Sequence, residues 1–212
     1  MVLHKRTNLV TLVGILRKYF DTSQECVNAI ELALVNDLIY YDGNVFLVKF
    51  DITQDVQEDL NRYQFPLPMI VEPKKVNSNQ ECGYYSFKYS VLMGNTFHEE
   101  DVCLDVINIL NSTKLRINQD VSSFIKNSWR KLAKPKVGES HKDFKARHKA
   151  FDKYNKTSLE VIFYLGVMDN EFWLTHGVDF RGRIYSKGCH VNYQGNDWNK
   201  AVIEFAEGEI ID

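Results

Sequence analysis

Long apolar runs are missing from this sequence. None reaches the roughly 18 consecutive apolar residues that a membrane-spanning helix needs, so no membrane partner is expected. No apolar stretch precedes a small-residue cleavage site in the manner of a signal peptide. Residues 1–20 carry Lys5, Arg6, Arg17 and Lys18 without an acid, one trait of a mitochondrial transit peptide. They contain no serine, however, and read as an ordinary helix. Cysteine is also scarce. Cys26, Cys82, Cys103 and Cys189 form no CxxC pair and sit at long, irregular spacings. That argues against a zinc site or a disulfide framework and for free thiols in a reducing compartment. Three of the four prolines, Pro66, Pro68 and Pro73, fall together, so the rest of the chain is nearly free of this breaker.

An excess of charge of one sign is lacking too, since the net charge is -2. The balance hides a segregation: residues 1–112 carry a net of -6, residues 113–156 a net of +9, and residues 157–212 a net of -5. One strongly basic segment in an acidic chain suits a polyanion met over part of the surface. The apolar content of 44%, with 13% aromatics, is enough for a packed core in 212 residues, as one domain or two small ones.

Apolar residues at helical spacing predict helices over 8–20 and 23–36, the second capped by Ser23. LIYYDGNVFLVKF, residues 38–50, predicts a hairpin turning at Asp42-Gly43-Asn44. The proline cluster reads as an irregular connection. From Glu99 to about Trp129, Val106, Leu110, Thr113, Ile117, Val121 and Phe124 step by four or three and predict one long helix. Its start would hold Glu99, Glu100 and Asp101, and its end Lys126, Arg130 and Lys131. Asn111, Lys114, Asn118 and Gln119 would lie on its outer face. A basic stretch follows at 141–156, and Thr157 with Glu160 reads as a capping box opening a third helix. The expected boundaries are 1–62 for a helix–helix–hairpin unit, 63–98 for the connection, 99–156 for a basic helical region and 157–212 for the remainder. The fold class is α+β, mainly α.

DFRGRIY, residues 179–185, is the most unusual stretch. As a strand it would place Asp179, Arg181, Arg183 and Tyr185 on one face, which is no core face. Arginines fixed by a carboxylate present planar forks to phosphates, and Gly182 would let a ligand backbone approach.

DFRGRIY, followed by QGND at Gln194–Asp197 and by Lys200, resembles the phage-type single-subunit RNA polymerases. PMIVEPKK (68–75), Gly83-Tyr84, INILNSTKLRIN (107–118) and SLE (158–160) are similar to further stretches of that family, in family order, over about residues 64–212. Tyr193 stands where the family usually has proline. The resemblance implies a partial right-hand polymerase fold, with a thumb in the basic region and the first palm strands after it. It implies that Asp179 orients Arg181 and Arg183 against nucleic acid and that Gly182 is the close-approach position. Tyr185 would face the RNA–DNA hybrid, and Gln194, Asn196, Asp197 and Lys200 would lie on the adjoining segment. Lys114 and Asn118 would be thumb contacts.

The family's metal-binding aspartates lie downstream of the Q-G-N-D loop, so no catalytic residue and no metal ligand is assigned in this chain. The expectation is a subunit of a two-chain DNA-directed RNA polymerase, a nucleotidyltransferase inactive alone. A second subunit would supply the remaining palm, the fingers and the bound Mg²⁺. Template DNA, RNA product and a single-stranded-DNA-binding or promoter-loading factor are the other expected partners. A bacteriophage protein in the cytoplasm of a bacterial host is the expected setting. The alternative is a stand-alone winged-helix-like transcription regulator.

Overall fold

The computed structural model describes residues 6–49, 51–63, 65–86, 89–94, 97–129 and 132–208. Arg130 and Lys131, expected at the end of the long helix, lie outside the described residues. The chain forms two compact units, Met1–Gln64 with Ser86–Tyr89, and Phe65–Tyr85 with Ser90–Asp212. Among the described residues the class is α+β and mainly helical, as expected, and no helix is long and apolar enough to cross a membrane.

In the first unit, α1 (Leu9–Leu16) starts on Asn8, whose side chain accepts from the Thr11 amide. Helix α2 (Ser23–Val35) is capped one residue before the expected Ser23. Thr22 is the N-cap, and the Glu25 carboxylate answers its amide in a capping box. Strands β1 (Ile39–Tyr41) and β2 (Phe46–Val48) form the expected hairpin, with Tyr41 opposite Phe46. Its turn is held by Asp42, whose carboxylate accepts from the Asn44 and Val45 amides, and Gly43 takes a φ of +97°. Helix α3 (Gln54–Arg62) follows. Leu12, Ile30 and Phe46 form this unit's small core.

The second unit departs from the expected long helix. Residues 99–129 divide into α4 (Leu104–Ser112), β3 (Leu115–Ile117) and α5 (Gln119–Phe124). The hydroxyls of Ser112 and Thr113 turn back onto the Ile109 carbonyl, and Thr113 leaves the helix with a ψ of 114°. Leu115 and Ile117 are then buried with Arg116 exposed between them, a period of two and not of 3.6. Asn118 caps α5 by accepting from the Val121 amide. Asn111, placed by the sequence on an outer face, is buried.

Helix α6 runs unbroken over His141–Val167, 27 residues or roughly 40 Å. Ser140 is its cap, and Thr157 is no cap but a buried position in its middle. The helix crosses the boundary expected at 156/157. It ends where Asp169 and Asn170 take left-handed φ values of 64° and 57°. Asn170 then pairs through its side-chain amide with both the N–H and the C=O of Ile117.

Strands β4 (Glu171–Phe172) and β7 (Ile203–Phe205) flank β3 in an antiparallel sheet ordered β4-β3-β7. Strands β5 (His176–Val178) and β6 (Ile184–Ser186) form a hairpin, and α7 (Asp197–Val202) leads into β7. Val161, Ile162 and Leu165 of α6 pack with Leu115, Ile117, Phe172, Leu174, Trp198 and Val202 as the main core.

Continuity of α6 is open to test by native-state hydrogen exchange. The amides of Thr157, Ser158 and Leu159 are expected to exchange slowly, as in a helix interior. Loop-like exchange there would restore two separate helices.

Candidate nucleic-acid interface

The DFRGRIY stretch is a tight turn at the tip of the β5–β6 hairpin and not one continuous strand. The Asp179 amide donates to the Arg183 carbonyl at 3.0 Å, and the Gly182 amide donates to the Asp179 carbonyl at 3.0 Å. Three residues, Phe180, Arg181 and Gly182, make the loop, and Gly182 takes a φ of +75°. A Cβ on Gly182 would meet nothing within 4 Å, so left-handed backbone, and no crowding within this chain, is what calls for glycine there. The expected single face therefore breaks, and Asp179 and Arg183 meet across the turn.

Asp179 organises the tip with both carboxylate oxygens. Oδ1 accepts from the Arg181 amide at 2.9 Å and the Arg183 amide at 3.0 Å. Oδ2 accepts from Arg183 Nε at 2.8 Å and Nη2 at 2.6 Å. The Arg183 guanidinium, helped by these amides, holds the Asp179 carboxyl below its ordinary range, and the Arg183 pKa rises in return. Arg183 also lies over the Tyr185 ring at 5.4 Å, and Arg181 over the Phe180 ring at 4.9 Å. Phe180 is 69% exposed, a large aromatic offered to solvent beside two arginines. Sequence reasoning passed over Phe180 because an aromatic within a strand reads as core.

The other expected contacts divide. Gln194 is brought to the hairpin, but its amide is committed to β6: Oε1 accepts from the Ser186 amide at 2.7 Å and Nε2 donates to the Ile184 carbonyl at 3.2 Å. Asn196 caps α7 and donates to Asn127 at 2.8 Å. Asp197 and Lys200 lie on α7, with Lys200 exposed. Lys114 and Asn118 flank β3 in the other sheet, where their partners are Glu171 and Glu204.

Pieces distant in sequence converge beneath the hairpin. A Cβ on Gly83 would come within 2.7 Å of Pro73 Cβ, 2.9 Å of Thr175 Cγ2 and 3.3 Å of Asn111 Nδ2. Only a residue without a side chain fits where these four segments meet. Next to them Asn111 Oδ1 accepts from the His176 amide at 3.0 Å and approaches His176 Nδ1 at 2.9 Å. Burial, with Lys187 nearby, pushes the His176 pKa down to about 4.

A second cationic surface lies on α6. Lys142, Lys145, Lys149, Lys153 and Lys156 are all exposed. At 100° per residue they fall within an arc of about 80° and span roughly 21 Å of the helix. Asp152 borders the row, and Lys156 is 4.0 Å from Glu160. Arg147 points elsewhere and is held by Glu139 through two bonds of 2.8 and 2.7 Å. Continued towards the C-terminus, the same arc holds Phe163 and Val167, 67% and 65% exposed, with Leu159, 48% exposed, about 40° beyond its edge.

The described residues do not suit a resident Mg²⁺. No group of three His, Cys, Asp or Glu is placed to hold a metal among them, and both oxygens of Asp179 are taken by arginine.

The fold and site thus define an α+β protein bearing an arginine-tipped hairpin and a lysine-faced helix. Its sequence is similar to those of DNA-directed RNA polymerases. The chain is 28% identical over 170 residues to a probable DNA-directed RNA polymerase of Agaricus bitorquis, covering 68% of this chain and 15% of that protein. It is 28% identical over 180 residues to DNA-directed RNA polymerase 3, chloroplastic, of Nicotiana sylvestris, covering 67% and 18%. To the mitochondrial DNA-directed RNA polymerase of Mus musculus it is 54% identical over 37 residues, covering 18% and 3%. The chain spans about a sixth of the length of the first two relatives. No family model matches it. The expectation of a bacterial-host cytoplasm is overturned, because these relatives include chloroplastic and mitochondrial enzymes.

The site carries a pH signature. His176 is held neutral when folded, with a pKa near 4 against an ordinary 6.5. The unfolded chain therefore takes up the proton first as pH falls. The stability this group supports is whole above pH 6.5 and is lost between 6.5 and 4, at up to about 1.4 kcal/mol per pH unit. His190, depressed by burial and then by Lys153, acts in the same direction. Urea midpoints are expected to fall from pH 7 to pH 5, and equal midpoints would contradict the buried neutral imidazole.

Proposed function

We propose that this chain is the part of a DNA-directed RNA polymerase that holds template DNA and the RNA–DNA hybrid. The supporting observation is the Asp179-fixed turn, which offers Arg181, Arg183 and the exposed Phe180 together. Two guanidinium groups suit phosphate oxygens, and an exposed ring suits an unstacked base. The lysine row of α6 supports a longer backbone track, with α6 as the thumb and the β5–β6 hairpin as the start of the palm. Gln194, Asn196 and Asn118 would act in this reading by shaping the surface, and Lys200 and Lys114 by adding positive charge near it. Tyr185 would support Arg183 from beneath.

Nucleotidyl transfer needs carboxylates that hold divalent metal, and we assign these, with the Mg²⁺, to polypeptide outside these 212 residues in a second polymerase subunit. The exposed Leu159, Phe163 and Val167 favour such a partner, since an apolar strip beside a cationic one calls for cover. A single-stranded-DNA-binding or promoter-loading factor would complete the assembly. The chloroplastic and mitochondrial relatives support an organellar setting. Residues 1–62 hold nine acidic and six basic residues, which does not favour the stand-alone DNA-binding alternative.

Binding of the chain to a short RNA–DNA hybrid, followed by fluorescence anisotropy across salt concentrations, tests the proposal. Each phosphate neutralised on a duplex contributes about 0.9 to the slope of log K against log salt. Replacing the five α6 lysines by glutamine is expected to make that slope shallower by about 4. An unchanged slope and affinity would remove α6 from the interface.

A further inference from the structure

Tyr193 is the residue at which this chain departs from the family pattern, and its surroundings give it a task. The residues after β6 turn back beneath the hairpin. Asn192 Nδ2 donates to the Gly188 carbonyl at 2.7 Å, and its amide donates to Asn199 Oδ1 at 3.0 Å. From this turn two adjacent side chains reach the two strands of the hairpin. Gln194 takes β6 through the Ser186 amide and the Ile184 carbonyl. Tyr193 takes β5, because its hydroxyl lies 2.7 Å from His176 Nε2.

The direction of every hydrogen bond in this chain of contacts follows from one fixed donor. The His176 backbone N–H can only donate, so the Asn111 atom beside it is the carbonyl oxygen. That oxygen can only accept, so His176 Nδ1 carries a proton. In a neutral ring Nε2 is then the acceptor, and the Tyr193 hydroxyl donates to it. His176 is 2% exposed and Asn111 is equally enclosed, while Tyr193 is half-buried, which raises its pKa. A missing partner anywhere in the row would leave a buried polar atom unsatisfied.

We infer that Tyr193, His176 and Asn111 form a positioning relay that ties the 188–196 turn and the end of α4 to the base of β5, and so sets the pose of the Asp179–Arg183 tip. Where the family usually stiffens this turn with proline, this chain anchors it with a hydroxyl. None of the three is a catalytic residue, since each acts through the hairpin. The importance of that pose for activity rests on the proposed function, whereas the relay itself does not.

The intact chain labelled with ¹⁵N tests the relay without nucleic acid. At pH 7 the His176 imidazole is expected to show a protonated Nδ1 and an unprotonated Nε2, and the opposite tautomer would overturn the relay. Tyr193→Phe removes one oxygen and keeps the ring. It is expected to speed hydrogen exchange of the Arg181 and Arg183 amides roughly tenfold. The amides of α2, in the other compact unit, should stay unchanged. A variant in which the hairpin amides do not move, or in which all amides of the second unit move in step, would reduce Tyr193 to packing and end the proposal. Hybrid binding separates the two readings. If the hairpin amides of Tyr193→Phe loosen while affinity for the RNA–DNA hybrid holds, the relay stands and the hairpin's role in nucleic-acid contact falls.

Discussion

One carboxylate makes the hairpin tip what it is. Asp179 receives two backbone amides on one oxygen and a two-pronged guanidinium on the other. The amides close the turn, so the same contacts that neutralise the acid also fix where Arg181 and Phe180 project. Gly182 makes this geometry available, because the last loop residue needs a positive φ. Solvent screens the Asp179–Arg183 pair, so its value lies in aim more than in stability. An arginine already held by a carboxylate loses less freedom on meeting a phosphate than one that swings freely.

The hairpin is a small element, and its position comes from packing below it. Strand β5 is hydrogen-bonded to β6 on one side and to residues 91–93 on the other. Gly83, Pro73, Thr175 and Asn111 meet beneath it at distances that leave no room for a side chain. Residues spread over a hundred positions are thereby drawn to one point. Helix α6 serves both needs of the unit: its inner face closes the main core, and its outer face carries the lysine row and then the apolar strip. An acidic chain can engage a polyanion this way, because the field that matters is the local one.

Local signals were legible where the chain decides locally. The Asp42-Gly43-Asn44 turn, the first two helices and the ordered family stretches all rest on short-range chemistry. The largest failure has its cause in long-range pairing. Leu110, Thr113, Ile117 and Val121 fit a helix by spacing, yet Leu115 and Ile117 are drawn into a strand by partners near residues 172 and 203–205. Thr157-x-x-Glu160 has the letters of a cap, but a buried threonine is tolerated inside α6 where the core covers it. In DFRGRIY the alternation that suggests a strand face also suits a turn in which residues 179 and 183 face each other. The lysine arc was present in the sequence all along, and needed only the unbroken helix to become visible. The relay through His176 had no sequence signal beyond the unusual Tyr193.

The most direct measurement is a photo-crosslink from the hairpin tip. Phe180 would be replaced by benzoylphenylalanine in the polymerase purified from its own source and caught while transcribing. Crosslinks from position 180 to template DNA or nascent RNA are the predicted result. Crosslinks confined to protein, in complexes shown to be making RNA, would contradict the account.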